Sequence, residues 1–135
     1  MIKIVVSSVP WAFDAKPGSR DTWAGFPGER KELFDFMTAE NIDGVILISA
    51  DRHRSDVRKI EREGDYPLYD FLSSRLTNIH THELLPGSLI QYNEKCSFGE
   101  FTFDLSKDDP EIKFVIKSID NEDKGEVDLR LSDLK

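Results

Sequence analysis

With 135 residues, 26 acidic against 18 basic, and a formal charge of −8, the chain has the size of one ordinary domain and the wrong sign for nucleic-acid phosphates or an anionic membrane surface. Hydrophobic residues make up 39%, nine of them Phe, which excludes wholesale disorder. The single cysteine, Cys96, excludes an internal disulfide and a cysteine-bound zinc knuckle.

The opening stretch MIKIVVSSVP carries Ile2, Ile4, Val5, Val6 and Val9 and stops at Pro10. It is too short to span a bilayer and lacks a basic leader with a cleavage site, so it reads as a buried strand. Residues 10–28, PWAFDAKPGSRDTWAGFPG, mix Pro and Gly with two Trp and two Phe. That is an ordered loop, since so many aromatic rings are not left in water. Leu33, Phe34, Phe36 and Met37 then fall on one stripe, which predicts an amphipathic helix over 28–41, ended by Asn41 and the Asp43-Gly44 pair. Residues 45–49, VILIS, are apolar at four consecutive positions, as in a strand covered on both faces. Strand, helix, strand across 1–49 has the form of a βαβ unit.

Beyond this the character changes. YPLYDFLSSRLTNIHTH reads as one short strand plus a loop. From Phe98 the alternation is clean, with Phe101, Phe103 and Leu105 on one face, then Ile112, Phe114 and Ile116, then Val127, Leu129 and Leu131. The charged turns SKDDP and DNEDKG separate these runs, giving an antiparallel meander with one wet face. The expected fold class is thus α/β to α+β, a partial β-sandwich in which strand-helix-strand precedes a C-terminal meander. No linker or repeat interrupts the chain, and residues 1–135 read as a single domain.

Chemistry concentrates where the 45–49 strand runs into Asp51-Arg52-His53. Loops at the carboxyl ends of buried strands are where α/β proteins place ligands. An aspartate offers a hard oxygen and a histidine a neutral nitrogen, and spacing by two points both the same way if the chain stays extended. A metal site and an ordinary solvated loop both satisfy that pattern. His80 and His82 share the same spacing beside Glu83, and read as strand-end histidines facing solvent. Three histidines are too few for a self-contained site. Arg52, Arg54, Arg58, Lys59 and Arg62 gather positive charge. Beyond Arg54 they read as a solvated face paired with Asp56, Glu61 and Glu63. Trp23, in DTWAGF, either shapes a pocket rim or plugs the helix entrance, where Arg30 would meet a carboxylate. No G-x-S-x-G elbow, P-loop or G-x-G-x-x-G occurs, and Cys96 lacks the neighbours of a nucleophile.

Taken in order, IKIVVSSVPW, DTWAGFPGERKELFDFM, VILISADRHRSDV, YPLYDFLSSRLT and the closing pair SFGEFTFDL and GEVDLRLSDL resemble the C-terminal part of PhoD-like alkaline phosphatases, a branch of the calcineurin-like metallophosphoesterases. The resemblance covers most of the chain. It implies a metal-dependent phosphoester hydrolase acting on a phosphate-ester substrate, with Asp51 and His53 as metal ligands in the family's G-D-x-H loop. Calcium and iron are the ions it implies, with Trp23 and Arg52 at the pocket rim. Members of the family are often exported; no signal peptide is visible here, and the compartment stays open.

The sequence departs from the family pattern at Ala50, where glycine is usual before the aspartate, at Phe26 for tyrosine, at Ala24 for an acidic residue and at Arg75 for glycine. The upstream ligand motifs do not occur. The expectation is therefore a fragment that carries the last metal-binding motif, is inactive by itself, holds metal weakly and self-associates through an uncovered edge. No catalytic residue is assigned to it. The alternative is a non-catalytic binding module that retains part of the fold.

Overall fold

A computed structural model describes residues 1–77 and 79–135. Asn78, part of the NIHTHE stretch, lies outside the described residues. Strands β1 (Lys3–Val6), β2 (Val45–Ser49), β3 (Ser55–Arg62), β4 (Asp65–Ser73) and β5 (Ser88–Tyr92) form one sheet in the order β1-β2-β4-β3-β5. Strands β6 (Ser97–Asp104), β7 (Glu111–Ser118) and β8 (Asp123–Arg130) form a second, antiparallel sheet. Helix α1 (Pro27–Ala39) joins β1 to β2, which pair in parallel as the βαβ reading requires.

α1 starts at Pro27, whose missing N–H costs nothing in the first turn, and buries Arg30, Phe34 and Met37 at helical spacing. Leu33 and Phe36, expected on the same stripe, are exposed. β2 matches its sequence signal: Val45, Ile46 and Leu47 are buried between two parallel neighbours. β1 does not. It is the edge strand, and Ile4 and Val6 face outward at 49% and 69% exposure.

The middle of the chain is more regular than its sequence suggests. β4 is a nine-residue strand at the centre of the sheet, not a short one. Its neighbours alternate in direction across it: β2 runs parallel and β3 antiparallel. Successive residues of a strand point to opposite faces, so β4 separates two environments. Phe71 meets Phe101 and Phe114 of the second sheet, with ring centroids 4.9 Å away in both cases. Asp70 points the other way, where its Oδ2 accepts the backbone N–H groups of Trp11 and Ala12 at 2.8 and 3.1 Å. Trp11 in turn stacks on Trp23 at 4.5 Å and lies against Phe34 of α1 at 6.3 Å. One face of the first sheet is thus covered by the aromatic loop and helix, the other by the meander.

The meander follows its alternation at Ile112, Phe114 and Ile116, all buried. Leu105 and Leu131 fall outside the strands: Leu105 is 67% exposed, and Leu131 opens a terminal 3-10 turn whose Leu134 is fully buried. The 10–28 loop buries Trp11, while Phe13 and Phe26 stay partly in water at 44% and 51%. Among the described residues Arg30 forms no ion pair with a carboxylate. Its Nε donates to the Trp11 carbonyl at 2.6 Å, and its guanidinium lies over the rings of Phe13 and Phe34.

Candidate metal and anion site

The parallel strands β1, β2 and β4 end on the same edge of the sheet, and the loops that follow them build the site. The loop 50–54 has an unusual task. It must carry the chain from β2 to β3, yet β4 lies between them. Two strand spacings, about 10 Å, must be crossed in five residues over the end of β4. The chain does this by turning sharply, with Asp51 at φ 76° and His53 at φ 44°, both left-handed. Such conformations cost on the order of 1 kcal/mol each outside glycine. The extended course that would align Asp51 with His53 is therefore lost.

The crossing puts His53 above the end of β4, beside Ser74, Thr81 and His82. His53 N–H donates to Ser74 Oγ at 3.0 Å, Thr81 Oγ1 donates to the His53 carbonyl at 2.9 Å, and His82 Nδ1 lies 2.8 Å from the Arg52 carbonyl. A carbonyl only accepts, so His82 carries its proton on Nδ1 and keeps its Nε2 lone pair. Arg75 braces the same loop. It is buried, and its guanidinium donates to the Asn93 and Ile79 carbonyls.

The result is a cluster of three imidazoles. His53 stacks on His82 with centroids 5.0 Å apart, and His80 stands edge-on to both, at 5.5 Å from His53 and 5.0 Å from His82. One ring nitrogen from each lies within 4.8 Å of the other two. Burial, and then the nearby charges of Arg52, His53 and His80, hold the His82 pKa below the usual imidazole range despite its backbone hydrogen bond. That keeps the ring neutral and available as a ligand. His80 is exposed as expected, but the reading of His80 and His82 as separate solvated histidines is corrected: the loop crossing brings them to His53. Asp51 is exposed and is not among these converging ligand atoms.

Arg52 is buried beside the cluster, and its Nε finds no hydrogen-bond partner among the described residues. Burial and the adjacent Arg54 charge lower its pKa. With Lys16, Arg54, His82 and Glu83 it lines a cleft of about 230 Å³. Larger grooves run along α1 and across β7 and β8, away from the histidines. Trp23 borders a different cleft, with Ser7, Ser8, Thr22 and Glu29, and its Nε1 donates to Ser7 Oγ at 3.0 Å.

The remaining basic residues overturn the solvated-face reading. Asp56 and Arg58 share one face of β3, Arg54 immediately precedes the strand, and all three are buried. Arg54 is ion-paired with Asp56, and Arg58 with Asp14 and, at 3.7 Å, Asp56. Arg54 also donates to the Ala15 carbonyl at 3.0 Å. Only Lys59 keeps the expected exposed pairing, with Glu61 at 2.7 Å.

Two packed sheets bring three imidazoles and a buried guanidinium together at the carboxyl edge of parallel strands, donor types that suit a metal ion and an anion. The lineage agrees: the chain belongs to the PhoD-like phosphatase family, whose model matches residues 2–134. The family is one of metal-dependent phosphatases. A solved structure, described as that of PhoD, shares the fold with a TM-score of 0.60 and 12% identity, over 95% of this chain and 31% of that one. The chain thus spans about a third of the length of that protein. No curated protein matches the sequence.

Proposed function

We propose that this chain is the part of a metal-dependent phosphoester hydrolase that carries its last metal-binding loop, and that residues 1–135 behave as one unit. The observation that carries the reading is the meeting of His53, His80 and His82 with the buried Arg52, whose Nε has no hydrogen-bond partner among the described residues. In this reading His53 holds an ion, calcium or iron by the family resemblance, which also implies Asp51 as a ligand although Asp51 is not among the converging ligand atoms. A metal there supplies Lewis-acid polarisation of a phosphoryl oxygen and an activated water. Arg52 faces the phosphate oxygens, for which a guanidinium is the best-matched side chain, whereas Trp23, which the resemblance put at the same rim, borders a separate cleft.

Asp51 and His53 alone leave an ion mostly hydrated, so the chain alone is expected to turn over no phosphate ester. The test is an assay with p-nitrophenyl phosphate and bis(p-nitrophenyl) phosphate in the presence of Ca²⁺, Mn²⁺ or Fe³⁺. Turnover that disappears in Asp51→Ala and His53→Ala would overturn the inactivity and support the hydrolase. Binding of inorganic phosphate, followed by calorimetry, should weaken about tenfold or more in Arg52→Gln, since a charge-assisted hydrogen bond contributes roughly 1.5–3 kcal/mol. No phosphate binding under any metal condition would leave the non-catalytic module as the better reading.

A further inference from the structure

The three histidines carry a more specific conclusion than the motif that led to them. Calcium takes six to eight oxygen ligands and has little affinity for imidazole. A set of imidazole nitrogens matches the borderline divalent ions, above all zinc, cobalt(II) and nickel(II). Three protein ligands plus one open position is also the usual complement of a zinc site exposed to solvent. The supporting shell is present before any ion arrives. The His82 ring is held by the Arg52 carbonyl, the His82 backbone carbonyl by Asn93 Nδ2 at 2.9 Å, and the His53 backbone by Ser74 and Thr81. Ring-nitrogen-to-carbonyl bonds of this kind are what orient metal-bound imidazoles. The 4.8 Å limit on the ligand atoms is wider than the roughly 3.3 Å that metal–nitrogen bonds of about 2.0–2.1 Å impose in a tetrahedral site. Closing it requires side-chain movement, and His80 is exposed.

We infer that His53, His80 and His82 together form a three-imidazole site for one divalent ion of the zinc class, a site in which calcium is the wrong ion. This rests on the reading of the 50–54 loop as metal-binding, and changes which residues complete it.

The experiment is calorimetric titration of the purified chain with ZnCl₂ and separately with CaCl₂, together with visible spectra on adding Co²⁺. The expected result is one zinc ion per chain, bound at least about 100-fold more tightly than calcium, and the intense visible bands of four-coordinate cobalt. His80→Ala and His82→Ala should each weaken zinc binding by about tenfold or more, because each removes one of three ligands. His80→Gln serves as a second variant, and circular dichroism verifies that all three fold. Zinc binding untouched by His80→Ala and His82→Ala, or calcium bound as tightly as zinc, overturns the inference. Zinc affinity that falls in Asp51→Ala but not in His80→Ala also overturns it, while leaving the hydrolase reading in place. A zinc site on the triad in a chain that binds no phosphate supports the inference and counts against the hydrolase reading instead.

Discussion

Asp70 shows how much one buried residue can bias this molecule. It is fully enclosed on β4, and burial, opposed by hydrogen bonds from Ser49, Ala12 and Trp11, raises its pKa from 3.8 to about 6. Between about pH 4 and pH 6 the folded state therefore holds a proton that the unfolded chain has released. Stability from this group is greatest below that window, falls as pH rises through it and is level above. The difference is on the order of 3 kcal/mol, at about 1.4 kcal/mol per pKa unit. Asp70→Asn keeps an acceptor for Trp11 and Ala12 and a partner for Ser49, but cannot ionise. Its melting temperature relative to wild type should rise from pH 4 to pH 7, and a constant difference would show that Asp70 does not titrate in that window. Asp56 poses the opposite case. It is the buried carboxylate between Arg54 and Arg58. Asp56→Ala strands the buried Arg54 guanidinium and leaves Arg58 with Asp14 alone, and should destabilise the fold by about 3–5 kcal/mol, read from urea unfolding.

At the scale of elements, β3 explains what sequence patterning missed. Alternation is normally read by taking the apolar residues as the buried set. On β3 the inward set includes Asp56 and Arg58, which with Arg54 just before the strand are covered by residues 14–15 and 83–86, so charge lies inside and the strand looks like a loop. β4 was foreshortened for a related reason: Asp70 interrupts its apolar run, yet is buried. The strands β2 and β7, buried through ordinary apolar residues, were legible. The two sheets meet at a place where size matters more than polarity. A side chain on Gly99 of β6 would press into the Phe114 ring and reach Ser73 Cβ of β4 at 3.4 Å. Gly99→Ala should cost about 1–3 kcal/mol by overpacking, as a lower urea midpoint with an unchanged slope.

For the whole molecule, the formal charge of −8 hides an internal asymmetry, since Arg52, Arg54 and Arg58 are all buried. An acidic exterior is expected to repel phosphate-rich polymers, while the cleft beside His82 is lined by Lys16, Arg52 and Arg54 against Glu83. The exterior also has an unprotected flank. β1 is an edge strand with Ile4 and Val6 exposed, and unpaired edges recruit further strands. Self-association is the expected consequence. Sedimentation velocity should show a concentration-dependent shift to larger species that Val6→Lys suppresses; a monomer at every concentration would exclude edge pairing.

The sequence alone determined the elements whose buried residues are apolar and regularly spaced: the βαβ opening, the meander, and the Asp51–His53 loop at a strand end. Period and hydrophobicity are local properties, and they suffice when burial follows them. Tertiary structure decided what depends on strand order. Because β4 inserts between β2 and β3, the 50–54 loop must arch over the β4 end, bend through two left-handed residues and deliver His53 to His80 and His82. No spacing along the chain encodes that meeting, since it follows from which strands hydrogen-bond to which.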